Sequence, residues 1–331
     1  MGAGNVRLSV AMCTYNGAAY LARQLESIAG QTRPPDELVV CDDASTDRTA
    51  EIVRGFAAGA PFPVRLTVNE RNLGTVGNFE QAIRLCRGEV IALADQDDVW
   101  LPEKLARSEA ALAADPEAGL VFTDALVVDE ELKPLGYRLW EPCFGRSAQR
   151  RVRRGRALAM LCSNNFVTGA TLAFRARYRD LVLPIPTGTR WIHDGWIAAL
   201  IAAVARLAFI DEPLMLYRRH AAQQVGAPPP GQSRDSLAER IADARRAQAE
   251  HFLALARSTE PLRERLLARG HLYPTGAALA RLEERTRNLQ ARAALPSSRA
   301  RRVPRVAREL FSLRYHRYAS GFLSAARDLL V

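Results

Sequence analysis

The first hundred residues alternate short apolar runs with longer segments in which apolar residues recur every three or four positions. The short runs predict β-strands, and the longer segments predict α-helices. The predicted strands are residues 8–12, 38–41, 64–68 and 90–93, and the predicted helices between them are residues 20–29, 46–56 and 76–86. This alternation predicts an α/β fold with a mostly parallel, Rossmann-like sheet flanked by helices, which binds ligands beyond the carboxyl ends of its strands.

Each predicted strand is followed by a cluster of polar residues. The four clusters are Thr14-Tyr15-Asn16, Asp42-Asp43, Asn69 to Asn72, and Asp95-Gln96-Asp97-Asp98. Taken singly, each cluster also fits an ordinary turn or helix cap. Because the carboxyl ends of parallel strands lie at one edge of a sheet, we expect all four clusters to face one crevice.

The fourth cluster places three carboxylates, Asp95, Asp97 and Asp98, directly after an apolar strand. Crowded carboxylates repel one another unless a cation binds, and hard divalent cations bind carboxylate and phosphate oxygens together. A metal ion with phosphates is therefore one hypothesis for this loop. The alternative is a solvated turn that caps the next helix, with Pro102 at the first helical position.

The pattern beyond residue 100 mixes strands, helices and loops. The predictions are a helix at 103–113, a strand at 120–128, a turn at 131–136, a basic loop at 146–156, a strand at 164–174, a Pro/Gly-rich loop at 184–190, an apolar helix from Ile197, a strand at 207–210 and a closing segment at 213–220. A Pro/Gly-rich stretch at 227–234 then predicts a linker. The helices predicted after it are 235–255, 261–267, 275–294 and 303–330, the last interrupted near Gly321.

The composition indicates a globular protein. With 331 residues, 48% of them hydrophobic, the chain can bury a substantial core. It has no run of 18 uncharged apolar residues and no signal-peptide pattern, so we expect a cytoplasmic location. Its five cysteines lack paired spacing and indicate neither a disulfide framework nor a zinc site.

The net charge of +10 arises in the carboxyl-terminal part of the chain. Residues 1–230 contain 26 basic and 26 acidic residues, whereas residues 231–331 contain 20 basic and 10 acidic residues. The last predicted helix also places aromatic residues among arginines, a pattern typical of segments that lie on anionic membranes. The same pattern fits packing against the body of the protein or against a second subunit, which leaves a homodimer open.

Seven short motifs follow one another in the chain. They are VAMCTYNG at 10–17, DDASTD at 42–47, NLG at 72–74, DQDD at 95–98, TG at 168–169, HDGW at 193–196 and YRRH at 217–220. In content and order they resemble the large family 2 of nucleotide-sugar glycosyltransferases, which has the GT-A fold. The resemblance covers about residues 6–225, and the last two motifs are most similar to the bacterial rhamnosyltransferase branch.

The resemblance implies a division of the chain. The implied parts are a transferase domain at 1–226, with a nucleotide-sugar half at 1–115 and an acceptor half at 116–226, the linker at 227–234 and a basic helical region at 235–331. The last of these parts matches no family that we recognise. The motifs therefore indicate a function only for the transferase domain at 1–226.

The resemblance also implies a set of residues around the nucleotide-sugar donor. Thr14 and Tyr15 would line the nucleobase pocket. Asp43 would bind the base or the ribose, and Arg71 would lie beside the nucleotide. The full implied set is Thr14, Tyr15, Asn16, Asp43, Arg71, Asp95, Gln96, Thr168, Gly169 and Trp196.

The cofactor implied by the resemblance is Mn²⁺ or Mg²⁺. Asp95 and Asp97 match the family's DXD element, in which an aspartate binds the cation carried by the diphosphate. Which of Asp95, Asp97 and Asp98 hold the metal stays open, with Asp97 the expected ligand. His220 matches a histidine that completes the metal shell in some relatives, and as a lone histidine it also fits an ordinary polar residue.

Asp194 matches the family's catalytic base. A carboxylate there would take the proton from the acceptor hydroxyl as that oxygen attacks the anomeric carbon opposite the departing diphosphate, which implies inversion of configuration. Asp194 also fits a cap for the following helix. Thr168 and Gly169 would lie beside the sugar or acceptor, where glycine allows close backbone approach. Processive synthases carry a Gln-x-x-Arg-Trp element that the chain lacks, which indicates transfer of one sugar at a time.

The leading hypothesis is a metal-dependent, inverting glycosyltransferase of bacterial surface polysaccharide synthesis. It would move one sugar from a nucleoside-diphosphate donor, for which dTDP-rhamnose is a candidate, to a glycan or polyprenyl-linked acceptor at the inner membrane face. One alternative is a sugar-phosphate nucleotidyltransferase, which would need a Gly-rich amino-terminal loop. Another is a catalytically silent scaffold or glycan-binding protein held at a membrane by its basic tail. Nucleic acid is not an expected partner, since no recognised motif accompanies the basic residues.

Overall fold

The computed structural model describes residues 6–220, 240–296, 298–319 and 321–330. The described residues form two compact units, each of which is presented by itself. The first unit contains residues 6–155 and 166–220, and the second contains residues 156–165 and those from 240 onward. The predicted linker at 227–234 and the first residues of the helix predicted at 235–255 lie outside the described residues.

The amino-terminal half of the first unit has the predicted alternation of strands and helices. Its strands are β1 (Leu8–Thr14), β2 (Glu37–Asp42), β3 (Val64–Val68) and β4 (Val90–Ala94), and its helices are α1 (Leu21–Ala29), α2 (Thr49–Ala57) and α3 (Gly74–Leu85). β1 pairs in parallel with both β2 and β4, and β2 pairs in parallel with β3. The carboxyl ends of these strands therefore lie at one edge, as predicted.

The rest of the first unit extends this sheet. Its elements are β5 (Val99–Trp100), α4 (Lys104–Ala114), β6 (Ala118–Val128), β7 (Pro134–Arg138), α5 (Arg146–Arg153), β8 (Leu172–Arg175), α7 (Arg179–Val182), α8 (His193–Val204) and β9 (Arg206–Arg218). Within the described residues nine strands form one sheet, in the order β3-β2-β1-β4-β8-β6-β9-β5, with β7 beside β6. β8 is antiparallel to β4 and β6, so the sheet is mixed. The predicted α/β sheet flanked by helices is confirmed.

Aromatic side chains pack the core beneath the second half of the sheet. Phe122 on β6 contacts Trp140, Phe144, Phe166 and Phe209 with ring centroids 5.2 to 6.1 Å apart. Tilted and edge-on rings at such distances add to the free energy of burial. The cluster ties β6 and β9 to the segments before and after them.

The basic segment at 146–156, predicted as a loop, is mostly helical. α5 places Val152 in the core, and the guanidinium of Arg153 lies 4.9 Å from the ring centre of Phe209. Arg, Ala and Gln all have high helix propensity, and the charge of a segment does not oppose a helix whose arginines face water. Gly155, with φ of 71°, follows the helix in the conformation that glycine adopts readily.

Three other predicted boundaries are wrong. The strand predicted at 164–174 is a 3₁₀ turn at Gly169–Thr171 followed by β8, since the glycine interrupts the alternating pattern. The helix predicted from Ile197 begins four residues earlier as α8. The segments predicted at 207–210 and 213–220 are one strand, β9, whose pairing with β6 shifts register around residues 210–213.

The second unit is helical. Its helices are α6 (Ala157–Leu161), α9 (Arg240–Arg257), α10 (Glu260–Ala268), α11 (Gly276–Ala293), α12 (Arg299–Phe311), α13 (Arg314–Tyr318) and α14 (Phe322–Leu330). The helix predicted at 303–330 is three helices, because Leu313 and Gly321 adopt left-handed φ angles of 60° and 59° that end one helix before the next. None of the helices in the described ranges has the length and apolar content needed to cross a membrane.

Candidate active site

The loop after β1 is shaped by the turn after β2. Thr14, which ends β1, is buried and donates its hydroxyl to Asp42 Oδ1 at 2.7 Å. The amide and hydroxyl of Ser45 donate to the same carboxylate at 3.0 and 2.6 Å. Asn16, with φ of 47°, accepts a hydrogen bond at Oδ1 from the amide of Thr46 at 2.8 Å. The polar groups of Thr14 and Asn16 thus fix the shape of the loop.

Asp43 organises the loop after β3. Its carboxylate accepts hydrogen bonds from Asn69 Nδ2 at 2.9 Å and from the amides of Leu73 and Gly74 at 2.7 and 2.9 Å. These amides open α3, so a carboxylate from another loop caps the positive end of that helix. Both carboxylate oxygens are bonded to the protein, and Arg71 lies exposed on the loop that they hold.

Tyr15 and Gln96 join the loop after β1 to the loop after β4, residues 95–98, which we call the acidic loop. Gln96 Oε1 accepts a hydrogen bond from the amide of Tyr15 at 2.8 Å, and Gln96 Nε2 donates to the carbonyl of Tyr15 at 3.0 Å. Gly17 makes room for this side chain, since a Cβ there would lie 2.1 Å from Gln96 Oε1. The ring of Tyr15 stays exposed at the rim.

Asp97 and His220 meet although 123 residues separate them in the chain. Their closest atoms, Asp97 Oδ2 and His220 Nε2, are 2.8 Å apart, and both side chains are largely buried. The antiparallel pairing of β5 with β9, in which Val99 faces Leu216, carries the end of β9 to the acidic loop. The structure therefore brings together the two residues predicted as metal ligands.

Arg218, two residues before His220, fixes the acidic loop. Its amide donates to Asp98 Oδ1 at 3.0 Å, its Nε donates to the carbonyl of Asp97 at 2.6 Å, and its Nη1 donates to the carbonyl of Glu130. Its guanidinium lies 4.7 Å from the ring centre of Tyr20. The predicted alternative, in which the aspartates cap the next helix, is wrong, because the residue before α4 makes no side-chain cap and Asp97 and Asp98 bond to β9 and His220 instead.

The carboxylates of the acidic loop are buried close to one another. Burial, together with the charges of Asp97 and Asp194, raises the pKa of Asp95 to about 8. Burial and the neighbouring aspartates likewise raise the pKa of Asp98 well above its usual range. Among the described residues, Asp98 Oδ2 and His220 Nδ1 are buried without a hydrogen-bond partner. Such a cluster favours the binding of a cation.

Lys104 lies behind the acidic loop at the start of α4. The side chain is buried, and its ammonium donates to the carbonyl of Ala170 at 2.8 Å and lies 4.4 Å from the ring centre of Trp100. Burial lowers the pKa of Lys104 to about 7, against the opposing effect of Asp98 and Asp95. This lysine connects the acidic loop to the 3₁₀ turn that begins at Gly169.

Asp194 lies in the first turn of α8 and faces the same cluster. Its Oδ2 accepts a hydrogen bond from the amide of Gly169 at 3.1 Å, and its Oδ1 accepts one from the amide of Gly195. Its charge contributes to the raised pKa of Asp95, so the two carboxylates share one site. The role of Asp194 at the helix terminus is compatible with a chemical role, since carboxylates accept several hydrogen bonds at once.

His193, the first residue of α8, supports the structure around Asp194. Its ring stacks on Phe79 of α3 with centroids 4.0 Å apart. Burial lowers the pKa of His193, which keeps the imidazole neutral. A Cβ on Gly169 would lie 2.5 Å from His193 Nε2, so only glycine fits at that position without a shift.

Trp196 is a core residue, contrary to its predicted place in the donor site. Its side chain is buried, and its indole N–H donates to the carbonyl of Val182 at 2.8 Å. A buried indole whose donor is occupied anchors α8 rather than facing a ligand. Thr168, also predicted for this site, is partly buried just before the 3₁₀ turn and accepts a hydrogen bond at its carbonyl from the amide of Thr171 at 2.9 Å.

The donor set suits a divalent cation that is shared with a diphosphate. Asp97 and His220 supply one carboxylate and one imidazole, and no group of three metal-ligating side chains occurs in the described ranges. Mg²⁺ and Mn²⁺ commonly take only one or two protein ligands and complete their shells with phosphate and water. The unpartnered oxygen of Asp98 adds negative charge behind this pair. The residues present therefore fit the expected metal.

Sequence reasoning missed Lys104, Arg218 and His193. Arg218 and His193 stand inside quoted motifs, so their neighbourhood was visible but their contacts were not. Lys104 had no signal beyond its position two residues after Pro102, because the sequence does not show that its amine is buried.

A match to the family described as "Glycosyl transferase family 2" covers residues 9–177. An uncharacterized protein of Mycobacterium tuberculosis is 29% identical over 227 residues, which are 65% of this chain and 59% of that protein. An uncharacterized glycosyltransferase of Nostoc is 28% identical over 221 residues, 66% of each chain. The chain thus spans less than two thirds of the length of either relative.

Two solved structures share the fold. S. aureus TarS 1–349 in complex with UDP-GlcNAc superposes with a TM-score of 0.51 at 17% identity, covering 96% of this chain and 90% of that one. Pyrobaculum calidifontis mannosyltransferase PcManGT in complex with GDP-Man and Mn²⁺ also gives a TM-score of 0.51, at 21% identity, covering 98% and 84%. The mixed sheet flanked by helices is the expected GT-A fold. With more than half of its length matched, the chain belongs to glycosyl transferase family 2.

Proposed function

We propose that this protein is a metal-dependent, inverting glycosyltransferase that moves one hexose from a nucleoside-diphosphate sugar to a glycan or polyprenyl-linked acceptor. The observation that supports this most is the meeting of three groups at one edge of the sheet: the Asp97–His220 pair, Asp95 with its raised pKa, and Asp194. Three separate segments of the chain supply these groups, and a fourth, the 3₁₀ turn at Gly169, bonds to Asp194.

On the acceptor side, Asp194 is the general base. Its carboxylate accepts the proton of the acceptor hydroxyl while that oxygen attacks the anomeric carbon. The amides of Gly169 and Gly195 hold the carboxylate in place, and hydrogen bonds to a carboxylate favour its ionised form. Attack from the side of Asp194, opposite the departing diphosphate, inverts the configuration at carbon 1.

On the donor side, the chain binds and orients the nucleotide. The exposed ring of Tyr15 provides a stacking surface for the base, and Arg71 provides a cation for the phosphates. Asp97 and His220 would hold Mn²⁺ or Mg²⁺, which when bound stabilises negative charge on the leaving diphosphate. Asp43, Thr14 and Gln96 shape the loops around the donor rather than lending it free polar groups.

The finer assignments extend this proposal. dTDP-rhamnose is the candidate donor because the HDGW and YRRH motifs resemble those of the bacterial rhamnosyltransferase branch. A polyprenyl-linked or glycan acceptor places the enzyme in surface polysaccharide synthesis, in the cytoplasm at the inner face of the membrane.

Calorimetric titration with dTDP, UDP and GDP, each with and without Mn²⁺ or Mg²⁺, tests the donor site. We expect one nucleotide to bind in a metal-dependent way and to lose at least tenfold in affinity in Asp97→Asn, since that carboxylate carries the metal. Asp180→Asn, at an exposed position on α7, is the matched control and should bind as the parent does. If none of the three nucleotides binds, the transferase proposal fails and the silent scaffold takes its place.

Asp194→Asn separates binding from chemistry. We expect this variant to bind nucleotide and metal like the parent while its slow hydrolysis of the cognate nucleotide sugar falls at least a hundredfold, because general base catalysis contributes factors of that order. Unchanged hydrolysis in Asp194→Asn would remove the base assignment and leave the binding site standing.

A further inference from the structure

The last three helices of the second unit pack around a small core. Val306 on α12, Tyr315 on α13 and Ala325 on α14 are buried together. Arg302 Nη1, near the start of α12, donates to the carbonyl of Asp328, near the end of α14, at 3.2 Å. The two longer helices therefore run antiparallel, and the end of α12 lies beside the start of α14.

At this shared end, four large apolar side chains face water. They are Phe311 at 88% exposure, Leu313 at 52%, Phe322 at 69% and Leu323 at 77%. The ring of Phe322 contacts that of His316 on α13 at a centroid distance of 4.7 Å, which ties α14 to the turn containing Leu313. Two phenylalanines and two leucines exposed at one end of a helical unit are an unusual apolar patch for a monomer and mark an interaction site.

Exposed arginines extend along α12 and α14 from these apolar residues. Arg301, Arg305 and Arg308 are exposed on α12 at a spacing of three or four residues from one another and from Phe311, so the four share one face of the helix. Arg327 is exposed four residues after Leu323 on α14. We call these eight residues, Phe311, Leu313, Phe322, Leu323, Arg301, Arg305, Arg308 and Arg327, the tip surface.

The acidic residues of the same segment point inward. From residue 298 onward the sequence contains only two, Glu309 and Asp328, and both are buried. Glu309 bonds to Asn288 and Arg314 at 2.9 and 2.8 Å, and Asp328 bonds to Arg292 at 2.7 Å. The outward charge of the segment is thus entirely basic, a feature that its net charge alone does not reveal.

We propose that the tip surface docks on the face of an anionic lipid bilayer. Phenylalanine and leucine side chains insert into the boundary between head groups and acyl chains, while arginines bind lipid phosphates. A second copy of the chain is a poorer partner, because two tip surfaces face to face would oppose arginine to arginine. Nucleic acid would match the arginines and leave the two leucines without a role. The inference concerns where the enzyme works and needs no catalytic step, although it suits a lipid-linked acceptor.

Flotation of the full chain with vesicles tests the proposal. We expect binding to phosphatidylcholine vesicles that contain about one third phosphatidylglycerol, little binding to phosphatidylcholine alone, and weaker binding at high salt. The pair Phe311→Ser and Leu323→Ser should lower the partition coefficient at least tenfold. The pair Arg301→Gln and Arg308→Gln should lower it by a similar factor and flatten its salt dependence.

The control pair is Leu267→Ser and Leu272→Ser. These leucines are as exposed as Leu313 but belong to α10 and the turn after it, outside the tip surface. Vesicle binding should be unchanged in this pair, and circular dichroism should show the same helical content in all variants. Nucleotide titration of the same proteins reports the donor site separately, so a loss of vesicle binding with intact nucleotide binding concerns the tip surface alone.

Three results would overturn the proposal. Equal binding to neutral and anionic vesicles would contradict the role of the arginines, and an absence of binding to either would contradict docking altogether. A concentration-dependent dimer in sedimentation that Phe311→Ser and Leu323→Ser dissociate would show that a second copy covers the tip surface instead.

Discussion

Lys104 carries the only ammonium described near the acidic loop, and it lies behind that loop instead of in the crevice. Its bond to the carbonyl of Ala170 and its position near Asp98 and Asp95 make it a fixed part of the site wall. Buried lysines are costly unless their charge has partners, and here the amine donates to the Ala170 carbonyl while the charges of Asp98 and Asp95 favour its protonated form. Lys104 thus links the acidic loop to the 3₁₀ turn that contains Ala170.

Replacing this amine should weaken the whole first unit. Lys104→Met keeps most of the volume but removes the buried positive charge near Asp98 and leaves the Ala170 carbonyl without its hydrogen bond, so we expect a loss of about 3 kcal/mol in the free energy of unfolding. Urea denaturation measures this loss. Lys133→Met, at an exposed position after β6, is the control and should change the free energy by less than about 0.5 kcal/mol. Equal effects of the two changes would contradict the assigned role.

Gly169 provides a test of the geometry around Asp194. In Gly169→Ala the added methyl group would lie 2.5 Å from His193 Nε2 and displace either the imidazole or the amide that holds Asp194. We expect hydrolysis of the donor to fall at least tenfold while nucleotide affinity stays within a factor of two, because small displacements of a catalytic group are costly. Gly55→Ala on α2, where a Cβ meets nothing within 4 Å, should leave both unchanged.

The edge of the sheet opposite the site is held by Glu37. The carboxylate accepts hydrogen bonds from the hydroxyl of Ser9 on β1, from the amide of Arg87 before β4 and from Arg65 on β3, at 2.6, 2.5 and 2.7 Å. Burial alone would raise the pKa of Glu37, but these three donors hold it below its usual range. One side chain thus links the starts of three strands and the loop before a fourth.

This contact predicts a pH dependence of stability. The pKa of Glu37 is lower in the folded than in the unfolded protein. The stabilisation that Glu37 provides is therefore complete above the ordinary glutamate pKa of about 4.3, and it is lost as the pH falls through the pKa of the folded protein. In Glu37→Gln the free energy of unfolding should fall by about 1–2 kcal/mol at pH 7, and the gap to the parent should narrow as the pH approaches 3. Urea midpoints at a series of pH values measure the gap. A gap that is constant with pH would assign the effect to packing instead.

The strands and helices differ in how well a single sequence predicts them. β1, β2 and β4 were found because each contains a mostly apolar run, as expected for strands that are buried on both faces. β3 was found because its apolar and polar residues alternate, as expected for a half-buried strand. β9 was split because Asp211, Glu212 and Pro213 look like a turn, whereas in the structure they lie in a register shift that the strand passes through. Helix α5 was missed because its charge was weighed above its helix propensity.

Within the site, sequence order predicted which loops would meet but not which atoms would remain free. The clusters after parallel strands had to share an edge, and they do. The polar groups of Thr14 and Asp43, however, are bonded to the protein, and Trp196 is in the core. Hydrogen-bond partners of this kind depend on contacts between residues far apart in the chain, which neither propensity nor periodicity reports.

Ligand binding and the stability of the fold are linked. Because Asp97 and His220 are 123 residues apart in the sequence, the proposed metal–nucleotide complex, bound between them, would stabilise the fold that joins them. At a ligand concentration of 100 times Kd the gain is about 2.7 kcal/mol. We expect the cognate nucleotide with Mn²⁺ to raise the thermal unfolding temperature by several degrees, and each alone to raise it less. Differential scanning calorimetry should show no such shift for Asp97→Asn, and a shift in that variant equal to the parent's would contradict the assignment of Asp97.

The position of His220 after β9 also has a consequence for folding during synthesis on the ribosome. A ribosome that adds about 5–20 residues per second needs roughly 6 to 25 s to travel the 123 residues from Asp97 to His220. For that interval the nascent acidic loop has neither the imidazole nor the arginine that later hold it, and the two-residue β5 has no strand beside it. Under the proposed function the cation would therefore bind late in the synthesis of this unit, and a stalled chain that ends before β9 would carry Asp97 without His220.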